Sequence, residues 1–254
     1  MRDTTKRDGA ATLPRDRGTS SLRKHHVAEQ IRKAVVGLRL LPGHRLVERD
    51  LCEQFHVSRQ LVREALNELS AEGLVEAIPH KGFLVTLVTL EQARGIYEIR
   101  AELEALASRA FALRASSAER HALQTALRDL EQSFVDAESL AWLPAKERYY
   151  SVLFSGTKNE ILPALMRQLQ GRITILRAMT LATPGRNKQS TNELRRVLKA
   201  IDRRDGEAAA NASRVHVANA CAIALEALRV EALAKAVAKK PARQKKAVRF
   251  AKNG

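Results

Sequence analysis

The sequence predicts a mainly α-helical protein. We expect an N-terminal winged helix-turn-helix, with three helices and a β-hairpin wing, followed by an all-α antiparallel helical bundle. Three observations support this prediction. Apolar residues recur at three- and four-residue spacing through most of the chain. Two short β-type runs flank a turn near residue 80. Three Ser/Thr-x-x-Glu/Gln patterns, typical of helix starts, occur in the second half.

Length and composition limit the class of protein. A chain of 254 residues is long enough for two modest domains. Neither a stretch of about 18 apolar residues nor an apolar secretory signal is present, so we expect a cytoplasmic protein with no membrane partner. We expect a disordered arm over 1–22, the winged helix-turn-helix over 23–88, the bundle over 89–237 and a basic disordered tail over 238–254.

The positive charge is concentrated at the end of the chain. The net charge is +16, and half of it lies in residues 233–254, where no acidic residue occurs. Such a tail would add salt-sensitive, sequence-independent affinity for DNA. A solubilising tail with no defined role is an equal alternative. The predicted DNA-binding half is only mildly basic, so the placement of its charges matters more than their total.

The N-terminal helices follow from apolar spacing. A first helix is predicted over about 24–38, and two short helical patterns follow on either side of a tight turn within residues 48–73. Ser58 is predicted to cap the second of these two helices. This arrangement is a helix-turn-helix. The apolar positions are Val27, Ile31, Val35 and Leu38 in the first helix, Leu51 and Phe55 in the next, and Val62, Ala65, Leu66 and Leu69 in the last.

Two arginines point to the chemistry of this motif. Arg59 directly follows the cap and Arg63 is four residues further on, so both project from one face of the helix N-terminus. That end of a recognition helix enters the DNA major groove, where arginine pairs with guanine O6 and N7. Arg49 opens the preceding helix and is placed to contact a phosphate or a base. A solvated helix face is the alternative interpretation.

A hairpin follows the recognition helix. The runs 74–78 and 83–87 have β-type composition and are joined by a turn over 79–82. The turn carries His80 and Lys81 beside Gly82. A narrow basic tip of this kind is suited to the DNA minor groove.

The stretch from about Val27 to Val88 resembles the DNA-binding domain of the GntR family of bacterial transcription regulators. Leu61 departs from the family pattern, which often has proline there. The resemblance implies DNA contacts at Arg49, Arg59 and Arg63. The matching residues are Pro42, Gly43, Leu46, Glu48, Arg49, Leu51, 57–59, 62–66, Leu69, 72–75 and 81–85. The complete set of predicted DNA contacts is Arg49, Ser58, Arg59, Gln60, Arg63, His80, Lys81 and Gly82.

Six further helices are predicted in the second half. They cover 90–115, 116–135, a segment from Pro144, 159–180, a segment after Ser190 and 207–237. The capping patterns that open three of them are Thr89-x-x-Gln92, Ser116-x-x-Glu119 and Ser190-x-x-Glu193. The predicted inner face of the first bundle helix is Ile96, Ile99, Leu103, Leu106, Ala110 and Leu113.

This half resembles the FCD subfamily of the same regulators. The resemblance implies an antiparallel bundle that binds a small-molecule effector and supplies most of a homodimer contact. The matching residues are Tyr97, Arg100, Leu103, Glu104, Asn159, Leu162, Ala200, Ile201, Asp205, Ala209, His216 and Val217.

Many members of the subfamily bind a divalent metal through one aspartate and three histidines. Alignment on the matching residues puts Lys146, Tyr150 and Leu194 at three of those positions, and only His216 remains. An ammonium group and an alkyl side chain cannot ligate a metal, so we expect no metal cofactor. We expect instead an effector pocket in which Arg100 and Lys146 contact a carboxylate directly. The pocket residues would be Arg100, Lys146, Tyr150, His216 and Asn219, unless His216 is a core residue and Lys146 faces solvent.

These expectations describe a one-component transcription regulator, more often a repressor in this family, that binds a palindromic DNA operator as a homodimer. Two rivals remain at this point. One is a helical-bundle enzyme with an appended DNA-binding domain, although no nucleophile, base and orienting group stand together in the sequence. The other is a protein that coats nucleic acid non-specifically through its tail.

Overall fold

The computed structural model describes residues 17–80, 82–134 and 140–250, with side chains described from 22 to 232 within those ranges. Across this part of the chain a winged helix-turn-helix precedes a helical bundle, as predicted. The N-terminal helices are α1 (Arg17–Val36), α2 (Glu48–Phe55) and α3 (Arg59–Ala71), and the strands are β1 (Arg45–Leu46), β2 (Val75–Ile78) and β3 (Gly82–Val85). The later helices are α4 (Leu90–Arg114), α5 (Ser117–Gln132), α6 (Trp142–Ser155), α7 (Ile161–Leu181), α8 (Arg186–Asp202) and α9 (Gly206–Phe250).

The N-terminal core forms where the apolar faces of α1 and α3 meet. Val27 and Ile31 of α1 are buried together with Val62 and Leu66 of α3. Full burial of such a side chain contributes about 1.5–3 kcal/mol relative to leaving it exposed. The core therefore fixes α3 with its apolar face inward, and its polar face is left to the solvent.

The wing is part of a small antiparallel sheet. Strand β3 lies in the centre, with β2 on one side and the two-residue β1 on the other. Leu84 of β3 is paired in register with Glu76 of β2 on one side and with Arg45 of β1 on the other. Strand β1 was not predicted, because two residues are too few to produce a period-two pattern. It ties the loop before α2 to the wing.

Helices α4 and α9 form the long antiparallel pair of the bundle. Arg109 pairs with Glu207 and Glu102 pairs with Arg214, so the two helices run in opposite directions. Two of the three predicted capping boxes are confirmed, at Thr89 before α4 and at Ser116 before α5. Local sequence therefore sets where these helices begin.

The third predicted capping box is wrong. Helix α8 begins four residues earlier than Ser190, directly after Gly185, whose φ of 77° lies in the left-handed region. Ser190 and Glu193 are buried inside the bundle instead of capping a helix end. Ser190 bonds to Lys146 of α6, and Glu193 bonds to α9 as well as to Arg186 at the start of its own helix, so tertiary contacts override the local pattern.

Half of the predicted inner face of α4 is also wrong. Ile99, Leu106 and Leu113 are 50%, 45% and 61% exposed. Ile96 and Ala110 are buried as predicted, and Leu103 is partly buried. The apolar face of α4 is wider than the part of it that the neighbouring helices cover. The three exposed residues recur every seven positions along the helix.

The first and last helices extend further than the sequence predicts, within the residues that the structure describes. Helix α1 starts at Arg17, inside the predicted arm, and α9 continues to Phe250, beyond the predicted end near residue 237. Alanine, lysine, arginine and glutamine dominate this last stretch, and all four have high helix propensity. Residues 1–16 and 251–254 of the predicted arm and tail lie outside the described part of the chain.

Helix α7 joins the two halves. Ile175 is buried in the core of the winged helix-turn-helix, and Met179, one turn further on, packs against the same core. One turn before Ile175, Gly171 lies against the end of the recognition helix: a Cβ atom at Gly171 would be 2.2 Å from the carbonyl oxygen of Glu72. The face of α7 formed by Gly171, Ile175 and Met179 is therefore the contact surface for the DNA-binding half.

The packing at the end of α6 gives a test of the bundle core. A Cβ atom at Gly156 would be 2.3 Å from ring atom Cε2 of the buried Phe111. We expect Gly156→Ala to lower the free energy of unfolding by about 1–3 kcal/mol through overpacking. Urea unfolding followed by circular dichroism measures this change. In a Phe111→Leu background the same substitution should cost less, and equal cost in both backgrounds would contradict the packing.

Candidate functional sites: a nucleic-acid interface and a buried cationic cluster

The first candidate site is the N-terminal end of α3. The Ser58 hydroxyl accepts a hydrogen bond from the Leu61 amide at 3.4 Å, which confirms the predicted cap. Because the opposite face of α3 is buried, the side chains of Arg59 and Arg63 project outward and are 74% and 58% exposed. Gln60 is exposed beside them and donates to Glu64. Arg59, Gln60 and Arg63 are therefore free to meet another molecule.

A groove of about 930 Å³ connects this helix end with the wing. Two predicted contacts at the start of α2 and α3, Arg49 and Arg59, line the groove together with two from the wing turn, His80 and Gly82. The wing turn is tight, with φ of 60° at His80 and 83° at Gly82. The structure thus brings the starts of α2 and α3 together with a turn that lies more than 20 residues later in the sequence.

Two charged residues of the groove were not among the predicted DNA contacts, and one predicted contact lies outside the residues that the structure describes. Arg45, exposed on β1, lines the groove and adds a cation to it. Arg45 was not predicted as a DNA contact because β1, the strand that carries it, was not predicted. Glu48 also lines the groove and contacts both Arg59 and Arg63. Lys81 lies outside the described residues.

The second candidate site is inside the bundle. Four predicted pocket residues, Arg100, Lys146, Tyr150 and His216, are buried, and Asn219 is partly buried. Their surroundings contain four further charged groups that sequence analysis did not include in the pocket. We call the whole set the cationic cluster; its members are Arg100, Glu104, Lys146, Tyr150, Arg177, Arg186, Glu193, His216 and Asn219.

Two carboxylates organise the hydrogen bonds of the cationic cluster. Glu104 accepts a bond of 2.9 Å from Arg100, one turn before it in α4, and a bond of 2.9 Å from the Tyr150 hydroxyl. On the other side of the cluster, Glu193 receives the paired bonds of Arg186 at 2.9 and 3.0 Å. Each carboxylate therefore neutralises one guanidinium group.

Glu193 also fixes the position of His216. The Nδ1 atom of His216 lies 2.7 Å from Glu193, and the Asn219 amide donates to the same carboxylate at 2.8 Å. The other ring nitrogen, Nε2, lies 3.4 Å from the Tyr150 hydroxyl. His216 is thus a buried and hydrogen-bonded residue, which fits a satisfied core histidine as well as a pocket residue.

Two cations of the cluster have no carboxylate partner. Lys146 donates to the Ser190 hydroxyl at 3.0 Å. The guanidinium carbon of Arg177 lies 4.3 Å from the centre of the Tyr150 ring. Buried Arg177 Nε and Arg100 Nη1 have no hydrogen-bond partner among the residues that the structure describes. Buried donors of this kind normally find an acceptor.

The pKa shifts in the cluster follow first from burial and then from charged and hydrogen-bonded neighbours. Burial lowers the pKa of Lys146 well below its usual value, and the charge of Arg177 lowers it further. Burial also lowers the pKa of His216 to about 4, although its hydrogen bond with Glu193 acts in the opposite direction. Burial raises the pKa of Glu193, but hydrogen bonds from His216 and Arg186 outweigh it and bring the pKa to about 2. At neutral pH the cluster therefore contains a neutral His216 that donates to an ionised Glu193.

The cationic cluster differs in its side chains from the metal site that the FCD resemblance implies. Lys146 and the buried Leu194 occupy two of the aligned ligand positions, and neither side chain can ligate a cation. The cations around His216 would also repel a divalent ion. Over the described ranges, no group of three or more His, Cys, Asp or Glu side chains is arranged to hold a metal.

Comparison with known proteins identifies both domains. The model of the gntR family of bacterial regulatory proteins matches residues 23–85, and the FCD domain model matches residues 95–219. Among the helices described, none is both long and apolar enough to cross a membrane.

Individual relatives match most of the chain. An uncharacterised HTH-type transcriptional regulator of Bacillus subtilis, YdhC, is 26% identical over 193 residues, covering 76% of this chain and 86% of its own. The HTH-type transcriptional repressor RspR of Escherichia coli is 22% identical over 187 residues, with coverage of 74% and 82%. The solved structure of E. coli McbR/YncC superposes with a TM-score of 0.65 at 22% identity, covering 80% of this chain and 97% of that one.

These matches decide between the functional classes left open by the sequence. Both domain models describe one architecture in the order found here, and the matched relatives are transcription regulators rather than enzymes. The chain belongs to the GntR family of bacterial DNA-binding transcription regulators and carries a C-terminal FCD domain.

Proposed function

We propose that this regulator binds a two-fold symmetric DNA operator as a homodimer and responds to a small anionic effector, most simply a carboxylate, bound in the cationic cluster. The observation that supports the effector most strongly is the pair of buried basic side chains, Lys146 and Arg177, neither of which is hydrogen-bonded to a carboxylate among the described residues. The most common output of such a regulator is repression, and one matched relative is itself named a repressor.

The groove between α3 and the wing supports the mode of DNA reading. Arg59 and Arg63 are one helical turn apart and exposed, so both guanidinium groups can reach base edges from within the major groove. Arg49 and His80 flank them in position to contact the neighbouring backbone or minor groove. Phosphate contacts would position the protein, and the two α3 arginines would supply the sequence preference.

The exposed apolar face of α4 supports the homodimer. Ile99, Leu106 and Leu113 recur every seven residues and are about half exposed. Val215 of the adjacent helix α9 is also 50% exposed. An apolar stripe of this length is unusual on a monomer and suits a second copy of the same helix pair. A dimer would present two recognition helices to two half-sites, because a single helix reads too few base pairs.

The charge balance supports an anionic effector. Three guanidinium groups and one amine face two carboxylates within the bundle. An incoming carboxylate would accept hydrogen bonds from Arg177 Nε and Arg100 Nη1, two buried donors of the cluster that have no partner among the described residues. A groove of about 360 Å³ lined by Glu193, Asn219, Lys188 and Arg196 offers a route from the surface. In this proposal the cationic side chains bind the effector's carboxylate directly, so no metal is needed to bind it.

Helix α7 supports a route from the effector to DNA. Arg177 faces the cationic cluster, whereas Ile175, two residues earlier, is buried in the core of the DNA-binding half. Two residues on a helix are about 200° apart, so these side chains leave opposite faces of one rigid element. A shift of α7 on effector binding would move Gly171 against the end of the recognition helix. The effector would then change DNA affinity by favouring one of two orientations.

The DNA-reading proposal predicts a loss of sequence preference in arginine variants. A fragment selected by the wild-type protein from a random-sequence pool should contain two half-sites related by two-fold symmetry. Arg59→Ala and Arg63→Ala should each reduce the preference for that fragment over a scrambled one by about tenfold or more, since each paired contact contributes about 1–3 kcal/mol of discrimination. Fluorescence anisotropy titrations measure both affinities.

The exposed Arg94 of α4 provides a matched control. Arg94→Ala removes the same charge far from α3 and should leave the preference unchanged. If the Arg59 and Arg63 variants keep the full preference, or if the selected fragment lacks two-fold symmetry, the proposed mode of DNA binding is wrong.

The effector proposal predicts carboxylate binding that depends on Arg177. Calorimetric titration with succinate, citrate and benzoate should identify a binder, and Arg177→Gln should weaken it by about tenfold or more. Arg148→Gln, on the exposed side of α6, is the control and should bind as the wild type does. No binding of any carboxylate by the folded wild type, or unchanged affinity in Arg177→Gln, would contradict the proposal.

Carboxylate binding should also be coupled to proton uptake. Burial and neighbouring cations lower the pKa of Lys146 in the free protein, and a bound anion would raise it. At a pH between the Lys146 pKa of the free protein and the Lys146 pKa of the complex, carboxylate binding takes up a proton. The affinity for the carboxylate should therefore fall as pH rises. A dependence of the measured enthalpy on the ionisation enthalpy of the buffer provides the same readout at a single pH.

A further inference from the structure

We propose that Glu48 is a positioning residue for DNA reading, because its carboxylate bridges the side chains of Arg59 and Arg63. Nothing in the family assignment gives an acidic residue a role at this surface. The inference rests on the DNA-reading face of the proposed function and adds a determinant of its specificity. Glu48 does not need to touch DNA for this role, since it acts through the two arginines.

One carboxylate accepts a hydrogen bond from Arg59 and makes an ion pair with Arg63. Arg59 Nε donates to Glu48 Oε2 at 2.5 Å, and Arg63 Nε lies 3.6 Å from Glu48 Oε1. The Glu48 side chain is only 13% exposed, although it lies on a surface groove. Each arginine is more than half exposed. The carboxylate is therefore held in the protein while the two cations extend beyond it.

The atoms used in these contacts matter for recognition. In both arginines Nε is the atom nearest to Glu48. The two terminal amino groups of each guanidinium remain available for the O6 and N7 atoms of guanine. Ordering a free arginine side chain on binding costs rotamer entropy. A side chain already held at Nε loses less of this freedom on binding.

The charge of Glu48 argues against a role in general DNA affinity. A carboxylate beside a DNA-binding helix repels phosphates and lowers sequence-independent binding. It also gives Arg59 and Arg63 a fixed partner that competes with capture by the phosphate backbone. Glu48 should therefore reduce affinity for arbitrary DNA and increase the difference between the correct site and other sequences.

A simpler role for Glu48 is to stabilise the start of α2, where it is the first helical residue. Asp50 allows the two roles to be separated. It lies in the same first turn of α2 and pairs with Arg49 at 3.3 Å. Asp50→Asn changes the charge of the protein and the end of the helix in the same way as Glu48→Gln. Only Glu48→Gln weakens the bridge to Arg59 and Arg63.

The experiment compares these two variants with the wild type on the selected fragment and on a scrambled fragment, by fluorescence anisotropy at two salt concentrations. Glu48→Gln should bind scrambled DNA more tightly and lose about tenfold of the preference for the selected fragment. Asp50→Asn should tighten binding to both fragments equally and keep the preference within about twofold. Circular dichroism melting establishes that both variants are folded.

Two results would overturn the proposal. One is an unchanged preference in Glu48→Gln, and the other is an equal loss of preference in both variants, which is expected if the first turn of α2 is all that matters. Failure of the proposed function is distinguishable from these results. In that case the wild type itself would not discriminate between the two fragments.

Discussion

The structure depends on a backbone contact between α7 and the end of the recognition helix. Gly73 ends α3 with φ of 79°, a conformation that favours glycine, and Gly171 approaches it with no side chain between the two backbones. Beside this contact Ile175 completes the core of the DNA-binding half. The orientation of α3 relative to the bundle is therefore set by main-chain packing, which tolerates little displacement.

The same helix contributes to a cluster of buried charges that is not internally balanced. Two carboxylates hold Arg100 and Arg186, whereas Arg177 on α7 lies against the ring of Tyr150 and is hydrogen-bonded to no carboxylate among the described residues. A buried charge without a counter-charge is costly, and an anion would remove much of that cost. Effector binding, as we propose it, would therefore change the forces on the helix that contacts the recognition helix. Helix α7 would therefore be affected both by effector binding and by DNA binding.

Sequence reasoning succeeded where local chemistry determines structure. The Ser58 cap, the capping boxes at Thr89 and Ser116, and the wing turn all depend on residues within four positions of one another. The fold class and the exposed arginines of α3 followed from these signals. The four buried pocket residues were found through a family resemblance, because the positions of a known metal site indicated where to look.

The failures have a common physical cause. Ser190 and Glu193 match a capping box, but their side chains bond to Lys146 of α6 and His216 of α9, and Glu193 also bonds to Arg186 at the start of its own helix. Arg177 has no local motif, so its position beside Tyr150 follows only from the packing of α6 against α7. Burial of a charged side chain depends on partners that are distant in sequence, and periodicity contains no information about them.

The most direct test of the account is the response of DNA affinity to a bound carboxylate in Gly171→Ala. The added methyl group would meet the backbone at Glu72 and Gly73 but lies away from the cationic cluster. With a carboxylate that binds the wild type, DNA affinity should change about 5- to 150-fold. Gly171→Ala should bind that carboxylate normally and lose most of this change, whereas Gln168→Ala, on the exposed side of α7, should keep it. A full response in Gly171→Ala would contradict the account.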